Sequence, residues 1–183
     1  MSHQNATMLA MSDEGASVDD GFSLADVTVQ ECDASQFGTF RDLNLAWIRR
    51  YFTIEATDRT LLDDPQRGIL DKGGFILVAV WSGAANVEAL VIGTCALLRE
   101  GDGSVLQLAK MAVDEHFLGK RIGILLGDAA IDRARLAGAS ALRLETNSKL
   151  TPAIRLYEKL GFVHQTAQDS AYARADVQMR IEL

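Results

Sequence analysis

The sequence predicts an α/β fold in which a mixed, mostly antiparallel sheet of about seven strands is flanked by about four helices. Apolar residues alternate or form short runs in some segments, as in strands, and recur every three or four residues in others, as in helices. Short turns join the strands in the middle of the chain, whereas a helical segment separates a later pair. We therefore expect antiparallel pairing in the middle of the sheet and one parallel pair after it.

The first elements are a short strand and a helix. The strand is predicted at residues 25–32 and the helix at residues 35–52, where apolar residues lie mostly three or four apart. Residues 53–74 contain Pro65 and two adjacent glycines, which interrupt the helical pattern. We expect short helical turns across a loop there.

Three apolar segments in the middle of the chain, residues 75–81, 89–100 and 104–113, are predicted strands. The small and polar residues 82–88 favour a hairpin between the first two, and the Gly-Asp-Gly at residues 101–103 favours a second turn. Antiparallel pairing of all three strands follows from these short connections.

The second half begins with an amphipathic helix at residues 120–138 and a strand at residues 141–146. Another helix ends before Gly161, and residues 162–165 and 175–183 are the last two predicted strands. In the final strand, every second residue is apolar. If that strand is exposed at the edge of the sheet, it could pair with a second subunit and form a homodimer.

The composition disfavours several classes of function. The 183 residues have a formal net charge of −7, so the chain has no basic surplus for binding nucleic acid. No apolar run reaches membrane-spanning length, and no His, Cys or carboxylate residues have the spacing of a metal site.

Cys32 and Cys95 lie in apolar segments without a CxxC pair or a secretory leader, so we expect a cytoplasmic protein with reduced thiols. Residues 1–24 are expected to be a disordered tail and residues 25–183 a single domain.

The segment EHFLGKRIGILL, residues 115–126, connects a predicted strand to a helix through two glycines. Gly119 and Gly123 let backbone N–H groups turn outward, and the helix N-terminus adds partial positive charge, which suits a pyrophosphate. Lys120 and Arg121 could add charge-assisted hydrogen bonds. The alternative is an ordinary glycine-containing turn, since neither a P-loop pattern nor GxGxxG is present.

Together with LETNSKLTPAIRLYEKLGF at residues 144–162, this loop resembles the GNAT superfamily of N-acetyltransferases, and the resemblance covers all but the tail. The acetyl-CoA loop of that family reads Q/R-x-x-G-x-G/A after a strand that ends in an apolar triplet, here Met-Ala-Val. The resemblance implies a GNAT-like fold, acetyl-CoA as the co-substrate, and pantetheine lying along that strand end. It implies the following cofactor-binding residues: Met111, Ala112, Val113, Leu118, Gly119, Lys120, Arg121, Ile122, Gly123, Asn147, Ala153 and Tyr157.

Three residues depart from the family pattern. Leu118 stands where Gln or Arg is usual, and Arg121 stands at the first glycine position, where we expect it to take a helical conformation. Gln107 replaces a glutamate found in many relatives and cannot accept a proton. A one-residue bulge would place Gln107 and Lys110 on one face and splay the strand open, whereas a regular strand would send them to opposite faces.

The resemblance implies that Tyr157 is the general acid for the departing thiolate and that Asn147 contacts pantetheine amides. The alternatives are a Tyr157 ring that only packs in the core and an Asn147 side chain that forms an Asx turn. Glu55 and Glu145 are candidates for the general base. The alternative for Glu55 is a solvated loop charge, and Glu145 could instead orient a cationic amine.

The sequence thus predicts an N-acetyltransferase that moves the acetyl group of acetyl-CoA directly to a primary amine of a small molecule or peptide. Tyr51 and Phe52 are expected to line the acceptor pocket, whereas Trp47 is expected to pack the first helix. The three departures from the family pattern motivate an alternative, a non-catalytic acyl-CoA-binding sensor. The segments expected to build the acceptor pocket, residues 53–74 and 166–175, contain no pattern that identifies the amine.

Overall fold

The computed structural model describes residues 21–83, 89–166 and 172–183. The described helices are α1 (Phe37–Tyr51), α2 (Ala56–Leu62), α3 (Pro65–Gly68), α4 (Ile122–Leu136) and α5 (Thr151–Lys159). The described strands are β1 (Val27–Glu31), β2 (Phe75–Trp81), β3 (Leu90–Glu100), β4 (Val105–Val113), β5 (Ala141–Thr146), β6 (Val163–Gln165) and β7 (Val177–Glu182).

The seven strands form one mixed sheet in the order β1-β2-β3-β4-β5-β7-β6. The β4–β5 pair is parallel and the other neighbouring pairs are antiparallel, which confirms the predicted sheet. The tip of the predicted hairpin, residues 84–88, lies outside the described residues, but β2 and β3 pair as expected. The condition for dimer formation through the final strand is not met, because β7 lies between β5 and β6 and pairs with both.

Helices cover both faces of the sheet, because apolar side chains of the central strands alternate between two clusters. On one face, Leu126 and Ala130 of α4 pack with strand residues such as Leu77. On the other face, Phe40 and Ile48 of α1 pack with the next strand residue, Ile76, and with residues of α2. The alternation follows from the two-residue period of a strand.

The folded domain begins before residue 25. Phe22, in the segment expected to be a tail, packs its ring 5.9 Å from that of Trp81 and 5.5 Å from that of Phe117. Residues 1–20 of that segment lie outside the described residues. None of the helices in the described part of the chain is both long and apolar enough to cross a membrane.

A one-residue bulge interrupts β4 and opens the sheet. Thr94 of β3 pairs with Ala112, but Ala96 pairs with Ala109, so β4 has one additional residue between these pairs. Lys110, in the bulge, has a positive φ of 51°. Pairing of β4 with β5 ends at Leu108, after which β4 and β5 separate. The bulge, one of the two alternatives left by the sequence, is confirmed, and the gap between the two strands is the site described next.

Candidate active site

A cavity of about 750 Å³ lies where β4 and β5 separate. Its walls are the second half of β4, the loop that leads into α4, the end of β5, and α5. The C-terminal half of α1 and residues 172–175 close it on the remaining side. One cavity therefore meets both the glycine loop and residues 172–175, part of one of the two segments that the sequence leaves uninterpreted, whereas residues 53–74 are not in its lining.

Most of the predicted site residues line this cavity. Those that do are Met111, Ala112, Val113, Leu118, Gly119, Arg121, Ile122, Gly123, Asn147, Ala153, Tyr157, Phe52 and Glu145. Three predicted residues, Lys120, Tyr51 and Glu55, are not part of its lining. The Lys120 ammonium lies 4.8 Å from the centre of the Phe22 ring, and Tyr51 packs 5.5 Å from Trp47. Trp47, which was expected only to pack the helix, does line the cavity.

The loop before α4 presents a row of backbone donors. Gly119 has a φ of 78° with open space where a side chain would begin, which turns the chain toward the helix. In the described part of the chain, the N–H groups of Gly119, Arg121, Ile122 and Gly123 have no hydrogen-bond acceptor. These donors and the N-terminal end of the 15-residue helix form a cradle for an anion.

Arg121 does not take the expected helical conformation. It is the N-cap of α4, with φ 66° and ψ 12°, in the left-handed region. That region suits glycine, the residue usual at this position in the family that the sequence resembles, and it strains residues that have a Cβ. The arginine is accommodated because the turn, and not the helix, sets its backbone angles.

We expect Arg121→Gly to raise the free energy of unfolding by about 0.5–1 kcal/mol, because glycine adopts the left-handed conformation without strain. The same change removes a cation from the cavity rim, so binding of pyrophosphate-containing ligands is expected to weaken several-fold. Urea unfolding and calorimetric titration with CoA measure the two effects. Arg121→Ala, which removes the charge but keeps the strain, should weaken binding without stabilising the fold.

Five cationic residues line the cavity although the protein is acidic overall, and three of them have no ionic partner in the described part of the chain. The side chains of Arg121, Arg155 and Lys159 lie on its wall and have no ionic partner among the residues that the structure describes. Unpaired cations at the mouth of a concave site attract anionic ligands and accelerate their association. Together with the backbone donors of the cradle, they favour a ligand that contains several phosphates.

Tyr157 lies on α5, where its ring packs against the core and the residue also lines the cavity. Its ring centroid is 6.0 Å from that of Phe162, and no hydrogen bond to its hydroxyl is present within the described residues. Burial, with a smaller contribution from Cys95, raises the pKa of Tyr157 to about 12. The phenol is therefore protonated at neutral pH and can donate its proton.

Glu145 is the next-to-last residue of β5, beside the gap, and its side chain is 3% exposed. Arg143 donates to Glu145 over 2.9 Å and also binds both carboxylate oxygens of Glu100. The Arg143 guanidinium is thus shared between the carboxylates of Glu100 and Glu145, so these three side chains together carry a net negative charge. Gln107 lines the same cavity on β4 and adds a neutral amide to it.

A charged cluster lies beside the bulge, made of Asp58, Lys110, Arg174 and Glu55; we call it the Asp58 cluster. The fully buried Asp58 carboxylate accepts hydrogen bonds from Lys110 Nζ at 2.5 Å and from Arg174 at 2.7 and 2.8 Å. Burial alone would raise the pKa of Asp58, but the bonds from Arg174 and Lys110 lower it to about 2. Burial lowers the pKa of Lys110, and Asp58 opposes this effect.

Glu55 belongs to this cluster and is not a solvated loop charge. Its carboxylate accepts a hydrogen bond from Arg174 Nη1 at 3.0 Å and another from the N–H of Ala173 at 3.1 Å.

Asn147 forms the Asx turn that was the alternative to its predicted contact with pantetheine. Its Oδ1 accepts a hydrogen bond from the N–H of Lys149 at 3.0 Å. Its Nδ2 donates to the Arg174 carbonyl at 2.6 Å while the residue lines the cavity.

Three residues of the site, Asp58, Tyr172 and Arg174, have no signal in the sequence that marks them as functional. Tyr172 and Arg174 follow a segment without periodicity, and Asp58 resembles an ordinary polar residue of a short helix. Lys110 was considered only for the bulge. Among residues 21–83, 89–166 and 172–183, no group of His, Cys, Asp and Glu has the arrangement of a metal site.

Comparisons with known proteins agree with this architecture. A model of the Acetyltransferase (GNAT) family matches residues 41–162. N-acetylaspartate synthetase of Danio rerio is 38% identical over 78 residues, 43% of this chain and 28% of that protein. The Xenopus tropicalis synthetase is 35% identical over 111 residues, 61% of this chain and 39% of that protein. The matches thus span 28% and 39% of the length of these two relatives.

Solved structures show the same fold. A GNAT-family acetyltransferase from Staphylococcus aureus superposes with a TM-score of 0.72 at 20% identity, covering 85% of this chain and 98% of that chain. A Salmonella typhimurium protein solved with its cofactor acetyl-CoA gives a TM-score of 0.64 at 18% identity, covering 86% of this chain and 94% of that chain. The fold class predicted from the sequence is confirmed by these superpositions.

Proposed function

The chain belongs to the GNAT acetyltransferase family, and from this premise we propose that it transfers the acetyl group of acetyl-CoA directly to a primary amine of a small molecule or peptide. The observation that carries the proposal is the meeting, in one cavity, of the cradle before α4, the open edge of β4 and the Tyr157 phenol. A cavity that only stored a ligand would have no use for a proton donor there.

The residues fit acetyl-CoA at both ends. The four N–H groups of the cradle and the cations Arg121, Arg155 and Lys159 suit its phosphates. Beyond Leu108, the edge of β4 that faces β5 is unpaired, so its backbone groups can bind the pantetheine amides as a neighbouring strand would. When bound, the co-substrate supplies an activated acetyl group as a thioester.

In the proposed reaction the amine nitrogen forms a bond to the acetyl carbon as the bond from that carbon to sulfur breaks. The Tyr157 hydroxyl gives its proton to the departing thiolate, and a backbone N–H of the β4 edge holds the thioester oxygen. We propose that Glu145 receives the amine proton through water, since it lines the cavity and Glu55 does not. Glu55 instead positions Arg174.

We expect Glu145→Gln to lower kcat/KM for the amine about tenfold at neutral pH, because it removes the proposed proton acceptor. The loss should shrink as the pH rises toward the pKa of the acceptor amine, which then needs no base. Initial rates from pH 6.5 to 9.5 test this. Glu182→Gln, which alters an exposed carboxylate paired with Arg180, is the control. A deficit that is equal at all pH values would contradict the role of Glu145 as base.

The function is tested by incubating the protein with acetyl-CoA and an amine panel while CoA thiol and acetylated product are both measured. Aspartate belongs in the panel, because relatives similar to part of this chain are named N-acetylaspartate synthetases. Equal amounts of thiol and acetylated amine are expected. Tight binding of acetyl-CoA, with no product from any amine, would support the sensor and contradict the enzyme.

A further inference from the structure

The Asp58 cluster has unused hydrogen-bond donors. The Asp58 carboxylate accepts two bonds on each oxygen: from Lys110 and Arg174 on Oδ1, and from Arg174 and the N–H of Glu55, at 2.9 Å, on Oδ2. A carboxylate has about four acceptor sites, so Asp58 has none left for a ligand.

The two cations of the cluster are not saturated. Lys110 donates one hydrogen bond, to Asp58, among the residues that the structure describes, and an ammonium has three donors. Arg174 uses both hydrogens of Nη1 and one of Nη2, so its Nε–H and the second hydrogen of Nη2 are unassigned within that same part of the chain. The two members of the cluster that line the cavity, Lys110 and Arg174, therefore offer donors and suit a ligand group that only accepts.

Both cations of the cluster belong to the cavity wall. Lys110 and Arg174 have side chains 5% and 18% exposed, and both lie over the Tyr172 ring at 4.8 and 4.7 Å. Lys110 has a left-handed backbone, which is strained in a residue other than glycine. Such strain persists where the surrounding structure holds it, often at ligand sites.

We propose that Lys110, supported by Arg174, binds a carboxylate of the acceptor, so that the preferred acceptors are carboxylate-bearing amines, such as amino acids. This inference rests on the proposed function. The cluster itself is neutral, with two cations and two carboxylates, so a ligand carboxylate gains charge-assisted hydrogen bonds from the free donors of Lys110 and Arg174. An ammonium group would meet donors there and no free acceptor on Asp58. An acceptor anchored by its carboxylate keeps its amine free for acetyl transfer.

The first test compares aspartate with aspartate diamide, which has the same amine and nearly the same shape but no carboxylate. The wild-type protein is expected to have a kcat/KM at least tenfold higher for aspartate. Lys110→Met keeps the length of the side chain and removes its charge, and it should raise KM for aspartate about 10- to 100-fold. KM for the diamide and the affinity for acetyl-CoA should change less than about threefold. Lys110→Arg should keep the preference.

A second test needs no turnover. Succinate, which has two carboxylates and no amine, is titrated calorimetrically into the protein saturated with CoA, with succinamide as the matched ligand. Wild-type protein should bind succinate, and Lys110→Met should bind it about 10- to 100-fold more weakly. Acetyl transfer without a preference for aspartate, or succinate binding that Lys110→Met leaves unchanged, would overturn the inference. Succinate binding without transfer to any amine would support the carboxylate site while contradicting the proposed function.

Discussion

Tyr157→Phe is expected to lower kcat by about 10²- to 10⁴-fold, the range that a positioned general acid contributes. The phenylalanine ring keeps the contact with Phe162 and removes only the hydroxyl, so the thiolate must depart without a proton. The pKa of about 12 keeps the wild-type phenol protonated throughout the working pH range. Acetyl-CoA affinity, measured by calorimetry, should change less than about threefold.

Tyr51→Phe is the matched control, because it makes the same chemical change on a ring that packs against Trp47 and does not line the cavity. Its kcat should equal that of the wild type. An unchanged kcat in Tyr157→Phe would remove the phenol from the mechanism. An equal loss of kcat in Tyr157→Phe and Tyr51→Phe would mean that the assay responds to a loss of folded protein and not to the loss of a proton donor.

Asp58→Asn is expected to lower the free energy of unfolding by about 3–5 kcal/mol, the cost of leaving a buried charge without its partner. In Asp58→Asn, Arg174 keeps its ion pair with Glu55. The Lys110 ammonium, whose side chain is 5% exposed, loses its carboxylate partner and must stay unpaired or give up its proton. Urea unfolding at pH 7 measures the loss. Asp42→Asn, which breaks an ion pair whose side chains are 45% and 67% exposed, should change stability by less than about 1 kcal/mol.

The stabilisation by the Asp58 carboxylate is expected to depend on pH in a definite direction. The pKa of Asp58 is lowered from its ordinary value of 3.8 to about 2, so its contribution is present above pH 3.8 and is lost as the pH falls toward 2. The difference in stability between the wild type and Asp58→Asn should therefore narrow over that interval. A difference that stays constant would show that the carboxylate charge is not responsible.

The fold was predictable because periodicity and connection length determine most of it. Ile76 and Leu77 face different helical layers, as the two-residue period of a strand requires. The spacing of Gln107 and Lys110 left two alternatives, a regular strand with the two residues on opposite faces or a bulge with both on one face, and the structure has the bulge. The position of β7 was not predictable, because the local pattern of a strand does not specify its neighbours in the sheet.

The candidate site was predictable where one continuous segment builds it. The turn around Gly119 and the helix with Tyr157 are such segments. The Asp58 cluster was not predictable, because Asp58 and Arg174 are 116 residues apart and meet only after α2 and the loop before β7 fold together. Arg121 shows a different limit, since its residue type favours a helix while the turn imposes a left-handed backbone.

The separation of β4 from β5 also bears on aggregation. Unpaired strand edges recruit strands of other proteins, and soluble proteins usually protect them with charge or by keeping them short. Here the run of β4 that is unpaired toward β5 begins after Leu108 and ends with the strand at Val113, and its residues form part of the cavity wall. Its short length and its place in a concave wall therefore limit pairing with strands of neighbouring proteins.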